Sequence, residues 1–315
     1  MQTCDTLLHA GVLLTQDDDR RVLENAALAI DGGRIVALGY SQDVTAAWQA
    51  REILDLSGML VMPGLVNAHT HAAMTFLRGL ADDMPLMDWL QQKIFPVEQG
   101  LTPDLVRLGS LLGFAEMLRT GTTSCVDMYI FEAAVLEAAD KAGLRCLAGE
   151  GVFNFPSACC PDADAALACT REMAQRWAGH DRLHVAVMPH SVYTTTAAQL
   201  TACRELADEL GLPLHIHLAE TRQETALSLE QHGLRPVAHA DRLGLLRPGT
   251  ILAHVVDVDA DEIALLARCG VSVVHNPSSN MKLASGVARV PEMLALGVPV
   301  GLAVDGSASN DGSSL

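Results

Sequence analysis

The sequence predicts an α/β fold: a (β/α)8 TIM barrel carrying a small β-sandwich unit formed by the N-terminal segment. Three observations carry this. Short apolar runs alternate with helix-length amphipathic segments from about residue 60 onward. The helical segments stop at glycines, as helix C-termini often do. The length of chain after His69 is close to the ~250 residues typical of such a barrel. A doubly wound open sheet would call for a phosphate-binding glycine fingerprint after an early strand, and the sequence has no GxGxxG.

In chain order, residues 1–60 read as a small β unit. "TLLHAGVLLT", "AALAIDGGRIVALG" and "REILDLSGMLVMPG" are apolar β-type runs, and Asp31-Gly32-Gly33 is a hairpin signal. Residues 61–315 read as the barrel. Its strands are expected in "MLVMPGLVNAH", "TTSCVDMY", "LRCLAGEGV", "RLHVAVMPH", "LPLHIHLAE", "TILAHV", "VSVVHN" and "VPVGLAVDG". Helices are expected between them, among them "PDLVRLGSLLGFAEMLRTG", "EAAVLEAADKAG", "AAQLTACRELADELG" and "DADEIALLARCG". The chain stops at "DGSASNDGSSL", just after the eighth strand. The last barrel helix and the C-terminal completion of the β unit are therefore expected to be absent from this chain.

Half of the 315 residues are hydrophobic, ample for a large core, while aromatics are only 4%. The net charge is -17 and there is no Lys/Arg cluster, which argues against nucleic acid as a partner. No apolar run is long enough to span a membrane, and the N-terminus lacks the basic region of a signal peptide. Eight cysteines occur with no CxxC, and Cys159 and Cys160 are adjacent, suiting neither a disulfide framework nor a zinc ribbon. Reduced thiols in a cytoplasmic protein are the expectation.

In a parallel barrel the active-site groups sit at the C-terminal ends of the strands. There the sequence places His69 and His71, then His190, then His215, His217 and Glu220, then His254, His275 and Asp305. Each alone is a weak signal. An HxH in a strand turns two imidazoles to one side, yet a polar strand end does the same. His254 or His275 alone reads as a structural histidine, and Asp305 alone as a turn cap. Together they gather imidazoles and a carboxylate at one mouth. Two histidines from the first strand, one of the pair on the fifth and Asp305 from the eighth give an N3O set with an open position for water. That is the pattern of a catalytic metal site rather than a closed structural one.

On these residues the chain resembles the amidohydrolase superfamily, in its branch of aminopurine and triazine deaminases, through "PGLVNAHTH", "GLADDMPLMDWL", "RTGTTSCVDMY", "HLAET", "NPSSNMKLASG" and "VDGSASND". It is most similar to the methylthioadenosine/S-adenosylhomocysteine deaminases. The resemblance implies one divalent metal, Zn2+ first with Fe2+ or Mn2+ as alternatives, on His69, His71, His217 and Asp305. It implies Glu220, His254 and Asp305 as proton-transfer groups, Glu98 in "FPVEQGLT" holding ribose hydroxyls, His190 as a substrate contact and Trp89 lining the pocket. The lysine that bridges two metals in binuclear members is missing from "HVAVMPHSVYT", which favours one metal. "GVFNFPSACCPDADAALACT" has no Arg or Lys where relatives meet a homocysteine carboxylate, so a neutral 5′ substituent fits better.

The expected function is hydrolytic deamination of an adenine nucleoside to its inosine analogue and ammonia: 5′-methylthioadenosine, adenosine or S-adenosylhomocysteine. The alternatives are a deaminase of a free base or pterin, such as 8-oxoguanine, a deaminase of aminodeoxyfutalosine, and, least favoured, a non-catalytic purine-binding homologue. The partner is a small molecule, with no nucleic acid and no membrane. A homodimer or higher homo-oligomer stays open.

Overall fold

The computed structural model describes residues 1–81 and 84–315. Asp82 and Asp83, within the family-like "GLADDMPLMDWL", lie outside the described residues. The chain divides into two compact units, Met1–Gly64 and Leu65–Leu315.

The first unit is a sheet of β1 (Gln2–Leu14), β2 (Val22–Asp31), β3 (Arg34–Tyr40) and β4 (Trp48–Val61), with a short helix α1 (Ser41–Ala47) before β4. The strand order is β3-β2-β1-β4. Only the β1–β4 pair is parallel. Asp31 pairs with Arg34 across Gly32 and Gly33, whose φ values are 55° and 74°. Two positive φ angles make the type I′ turn that suits a hairpin, and glycine adopts them without strain. Helix α1 is too short to have shown a period in the sequence. Its one buried residue, Val44, packs with Cys4, Leu7, Ala27 and Ala29, so the second layer on this sheet within the unit is α1.

The second unit opens with β5 (Leu65–His71), a 3-10 turn (Ala72–Leu77), and a broken helical stretch of α2 (Leu86–Trp89), a π-turn (Leu90–Ile94) and α3 (Phe95–Glu98). There follow α4 (Pro103–Arg119), β6 (Thr122–Tyr129), α5 (Glu132–Ala142), β7 (Arg145–Val152), α6 (Ala163–Arg176), β8 (Leu183–Val185), β9 (Met188–Pro189) and α7 (Ala197–Leu210). Next are β10 (Leu214–Leu218), α8 (Arg222–His232), α9 (Pro236–Arg242), β11 (Thr250–His254), α10 (Ala260–Cys269), β12 (Ser272–His275) and α11 (Pro277–Lys282). The described chain finishes with α12 (Val290–Ala295), β13 (Val300–Leu302), β14 (Asp305–Gly306) and α13 (Ser307–Asn310).

The alternation of strand and helix is the expected one, with all pairings parallel. One ladder runs β14-β5-β6-β7-β8 and another β10-β11-β12-β13. The fourth strand region is split into β8 and β9, and single bridges Val187–Leu214 and Ser191–His217 carry the pairing across to β10. The eighth is split into β13 and β14, so that β13 pairs with β12 while β14 pairs with β5. Asn67 Oδ1 accepts the Val304 N–H between them at 3.1 Å. Pairing thus passes through all eight strand regions, with interruptions at residues 186–187 and 303–304, just before the stretches that carry His190 and Asp305.

Parallel strands covered on both faces need continuous apolar runs, and β10 is buried at every position. The helices start and stop by local chemistry. Thr196 and Gln199 form a capping box on α7, as Asp259 and Glu262 do on α10. Thr102 caps α4 ahead of Pro103. Helix α4 presses its Gly109 and Gly113 on the 3-10 turn: an added Cβ would stand 2.6 Å from the Ala73 oxygen and 2.9 Å from the Ala72 oxygen. This close approach fixes the turn that immediately follows His71.

Candidate active site

The strand ends bring the expected residues to one cavity. His71, Trp89, Glu98, His190, His217, Glu220, His254 and Asp305 all line it, together with Phe95, Phe153 and Tyr129. His69 lies just behind, fully buried. Nε2 of His69 is 3.2 Å from Asp305 Oδ1, Nε2 of His71 is 3.0 Å from the same oxygen, and Nε2 of His217 is 3.1 Å from Nε2 of His69. One donor atom from each of His69, His217, His254 and Asp305 fits within 4.8 Å of all the others. His254 stands in this set where the expected ligand His71 does not, although His71 Nε2 is itself close to Asp305.

The second ring nitrogens decide what these imidazoles can do. His217 Nδ1–H donates to the His190 carbonyl at 2.7 Å, and His71 Nδ1–H donates to the Met128 carbonyl. His215 Nδ1–H donates to the Ile251 carbonyl at 3.1 Å, leaving its Nε2 to accept the His69 Nδ1–H at 2.8 Å. The neutral rings of His69 and His217 therefore both present a bare Nε2, and the two lone pairs face each other. Such a pair repels unless a cation lies between. Donors 3.0–3.2 Å apart suit a divalent ion with metal–nitrogen bonds of about 2.0–2.1 Å. The residues fit one divalent ion held by imidazole and carboxylate.

Electrostatics agree at His69 and His217. Burial and the charge of neighbouring rings keep His217 well below the ordinary histidine range, and burial draws His69 down to about 4, so both are neutral. Burial also pulls on His71, but the hydrogen bond and charge of Asp305 more than offset it and lift His71 to about 9. Burial raises Asp305, yet the neighbouring rings of His69 and His71, above all the charge and Nε2–H of His71, hold it well below the carboxylate range. Asp305 is thus an anion, and its other oxygen, Oδ2, accepts from Ser279 Oγ at 2.6 Å and Ser309 Oγ at 3.0 Å.

The backbone bends sharply where these groups emerge. Ala219, His254 and Asp305 have φ of 52°, 74° and 62°. Non-glycine residues in this region cost about 1–3 kcal/mol each and persist only where neighbours hold them. Glu224, from the first turn of α8, holds one bend. Its carboxylate accepts the Ala219 N–H at 2.9 Å and the Glu220 N–H at 2.7 Å. Glu220 is thereby turned into the cavity, with Oε2 3.8 Å from His254 Nε2. Burial raises its pKa, a shift the His254 charge only partly opposes. His254 donates Nδ1–H to Asn280 Oδ1 at 2.8 Å, leaving Nε2 toward Glu220.

Further out, Glu98 is 8% exposed, and burial lifts it to about 7. His190 sits between Phe153, at 4.9 Å between ring centroids, and the Thr194 hydroxyl, 2.8 Å from its Nδ1. Burial holds it at about 3, so its ring is neutral. Trp89 is buried in the cavity wall with an Nε1–H that has no partner among the described residues. Among the described residues no lysine or arginine lines the cavity.

Among the other sequence-selected histidines, His215 supports His69, while His275 is outside the cavity lining. His9 bonds the Ser41 hydroxyl, and His232 stacks on His239. Sequence reasoning assigned no role to His215, Glu224, Ser279, Asn280 and Ser309. His215 was visible in the second HxH, Ser279 and Asn280 in "NPSSNMKLASG" and Ser309 in "VDGSASND". Nothing local distinguished Glu224 from any first-turn glutamate.

Comparison with known proteins agrees with this geometry. The 5-methylthioadenosine/S-adenosylhomocysteine deaminase of Desulfovibrio desulfuricans is 61% identical over 99% of this chain and 71% of its own length. The Lawsonia intracellularis protein of the same name is 57% identical over 98% and 70%. The crystal structure of an adenosine deaminase from Xanthomonas campestris with bound zinc superposes with a TM-score of 0.96 at 40% identity, over 99% of this chain and 71% of that one. Residues 60–315 match the model of the amidohydrolase family, and the chain belongs to that family.

Proposed function

We propose that the protein is a zinc-dependent hydrolytic deaminase of adenine nucleosides, favouring a neutral 5′ substituent as in 5′-methylthioadenosine or adenosine. The observation that carries the reading is the pair of bare Nε2 atoms of His69 and His217, 3.1 Å apart and next to the anionic Asp305. The relatives' names support the substrate class, and zinc in the Xanthomonas structure supports the metal. Support for the neutral tail comes from a wall of Leu86, Trp89, Leu90, Phe95 and Phe153, with no cation among the described residues. Free cysteines throughout support a reducing, cytoplasmic setting. Among the described residues no helix is long and apolar enough to cross a membrane. We read Met1–Gly64 as the small β domain and Leu65–Leu315 as the hydrolase barrel.

His69, His71, His217 and Asp305 would hold the ion, with the Nδ1 bonds described above setting each tautomer and His71 giving up its Nε2 proton in exchange for the ion. When bound, the ion supplies an activated water as nucleophile. His254 Nε2 and Asp305 would take up the proton released as the water oxygen adds to C6 of the purine. Glu220, its pKa raised by burial, is a carboxylic acid able to protonate the adjacent ring nitrogen as negative charge develops there. His254 beside it then helps return the proton to the departing ammonia. Glu98 accepts the ribose hydroxyls, Trp89 and Phe153 enclose the rings, and neutral His190 hydrogen-bonds the substrate.

The test is ammonia release by zinc-loaded protein from methylthioadenosine, adenosine, S-adenosylhomocysteine, 8-oxoguanine and aminodeoxyfutalosine. Release from the first two, ahead of S-adenosylhomocysteine, is the expected outcome. Activity on the free base alone would refute the ribose role of Glu98.

A further inference from the structure

A second cluster of metal-binding chemistry lies outside the catalytic cavity. Cys159, Cys160 and Cys169 each bring a sulfur within 4.8 Å of the other two. Cys159 and Cys160 sit in the loop between β7 and α6, and Cys169 sits in the second turn of α6. The loop is held in shape by its own bonds. Ser157 N–H donates to the Cys160 carbonyl at 2.9 Å, and Cys160 N–H donates to Ser157 Oγ at 3.0 Å. Asp162 then caps α6 through the Ala165 N–H at 2.9 Å, fixing where the helix starts and so where Cys169 stands.

We propose that Cys159, Cys160 and Cys169 form a second metal site, for a thiophilic divalent cation of the zinc type, separate from the catalytic ion. The spacing fits. Zinc–thiolate bonds of about 2.3 Å place the sulfurs of a tetrahedral site about 3.8 Å apart, and Cys160 Sγ is 3.7 Å from Cys169 Sγ. A disulfide joins two sulfurs only and leaves the third without a role. Cys159 and Cys169 are half-buried and line a surface pocket shared with Glu172, so an ion has an entry path and a fourth position open to solvent. Binding releases the thiol protons. The ion would join the loop after β7 to α6 and stiffen that side of the barrel. No step of the deamination runs through it.

The experiment is a Co2+ titration of the fully reduced, metal-free protein, following absorbance and the equivalents bound. The expected result is two equivalents per chain, one of them giving an intense near-ultraviolet thiolate-to-cobalt band that imidazole and carboxylate cannot produce. Cys169→Ala, and separately the triple Cys159→Ser, Cys160→Ser, Cys169→Ser variant, should lose the band and one equivalent while the zinc-loaded deaminase rate stays within about twofold. Cys269→Ser, changing another half-buried thiol, should keep the band. One equivalent with no band in reduced wild-type protein overturns the proposal, as does a band that survives in Cys169→Ala. Finding Cys160 and Cys169 oxidised to a disulfide in protein isolated under reducing conditions also overturns it. None of these outcomes depends on which nucleoside the catalytic site accepts.

Discussion

His69 Nδ1 lies 2.8 Å from His215 Nε2, and His215 Nδ1 lies 3.1 Å from the Ile251 carbonyl. The chain of bonds has one consistent proton arrangement: each ring donates from Nδ1, and His69 is left with a bare Nε2 at the ligand cluster. On the proposed metal site, His215 is therefore a positioning residue that would act through His69. His215→Phe keeps the ring volume and removes the acceptor. It should weaken zinc binding about 10–100-fold, measured by competition with a chromophoric chelator. Unchanged affinity would show that the tautomer of His69 is set by something else.

Glu220 is the group assigned to proton delivery, and its buried carboxyl is biased toward the protonated form. Glu220→Gln preserves shape and hydrogen bonding but cannot give up a proton. Turnover should fall by about 10²–10⁴ with zinc stoichiometry unchanged. Retained turnover with metal bound would remove Glu220 from the acid role.

Glu224 does its work one residue away from the chemistry. Its carboxylate satisfies two buried N–H groups at the left-handed bend before Glu220. Glu224→Ala leaves both without a partner, at about 1–3 kcal/mol each. The melting temperature should drop by several degrees. The turnover number should fall along with it, because Glu220 is no longer aimed. A loss of stability with turnover intact would confine Glu224 to the fold.

The pH dependence of Glu98 follows from its burial. Its pKa is raised from 4.5 to about 7, so folding favours the protonated form. Its contribution to stability is fully present below about pH 4.5 and is lost as pH rises through about 7. Removing the titration with Glu98→Gln should flatten that part of the stability profile, by a difference on the order of 3 kcal/mol. The same protonation should matter for binding. A neutral Glu98 is the weaker acceptor for ribose hydroxyls, so KM for methylthioadenosine should climb as pH falls below about 7. A KM flat across that range would argue against Glu98 meeting the ribose.

Much of this arrangement was legible in the sequence because barrel topology converts order along the chain into convergence in space. The HxH of His69 and His71, the HxH containing His217, and Asp305 could be placed at strand ends from apolar runs alone. What the sequence did not disclose depends on backbone geometry that no short pattern encodes. The left-handed bends at Ala219, His254 and Asp305 carry residues that do not favour such angles, and side chains such as Glu224 and Thr70 bond the backbone at two of them. The splitting of the fourth and eighth strand regions falls within apolar runs, at residues 186–187 and 303–304, so no break in hydrophobicity announced it. The function of His215 was hidden for a different reason: its HxH partner His217 has the same spacing, and only the Nδ1 partners separate a ligand from its support. Cys169 joins Cys159 and Cys160 through the turn of α6, a proximity that a spacing of nine residues does not suggest.

The central claim is that the converging Nε2 atoms of His69 and His217, with His71 and Asp305, hold the ion that makes this chain a nucleoside deaminase. The most direct measurement is ammonia release from methylthioadenosine by the zinc-loaded protein, repeated after chelation and again after zinc is restored. The account predicts release that the chelator abolishes and zinc recovers, with His69→Ala inactive under all three conditions. Release that persists in metal-free protein, or in His69→Ala, would contradict it.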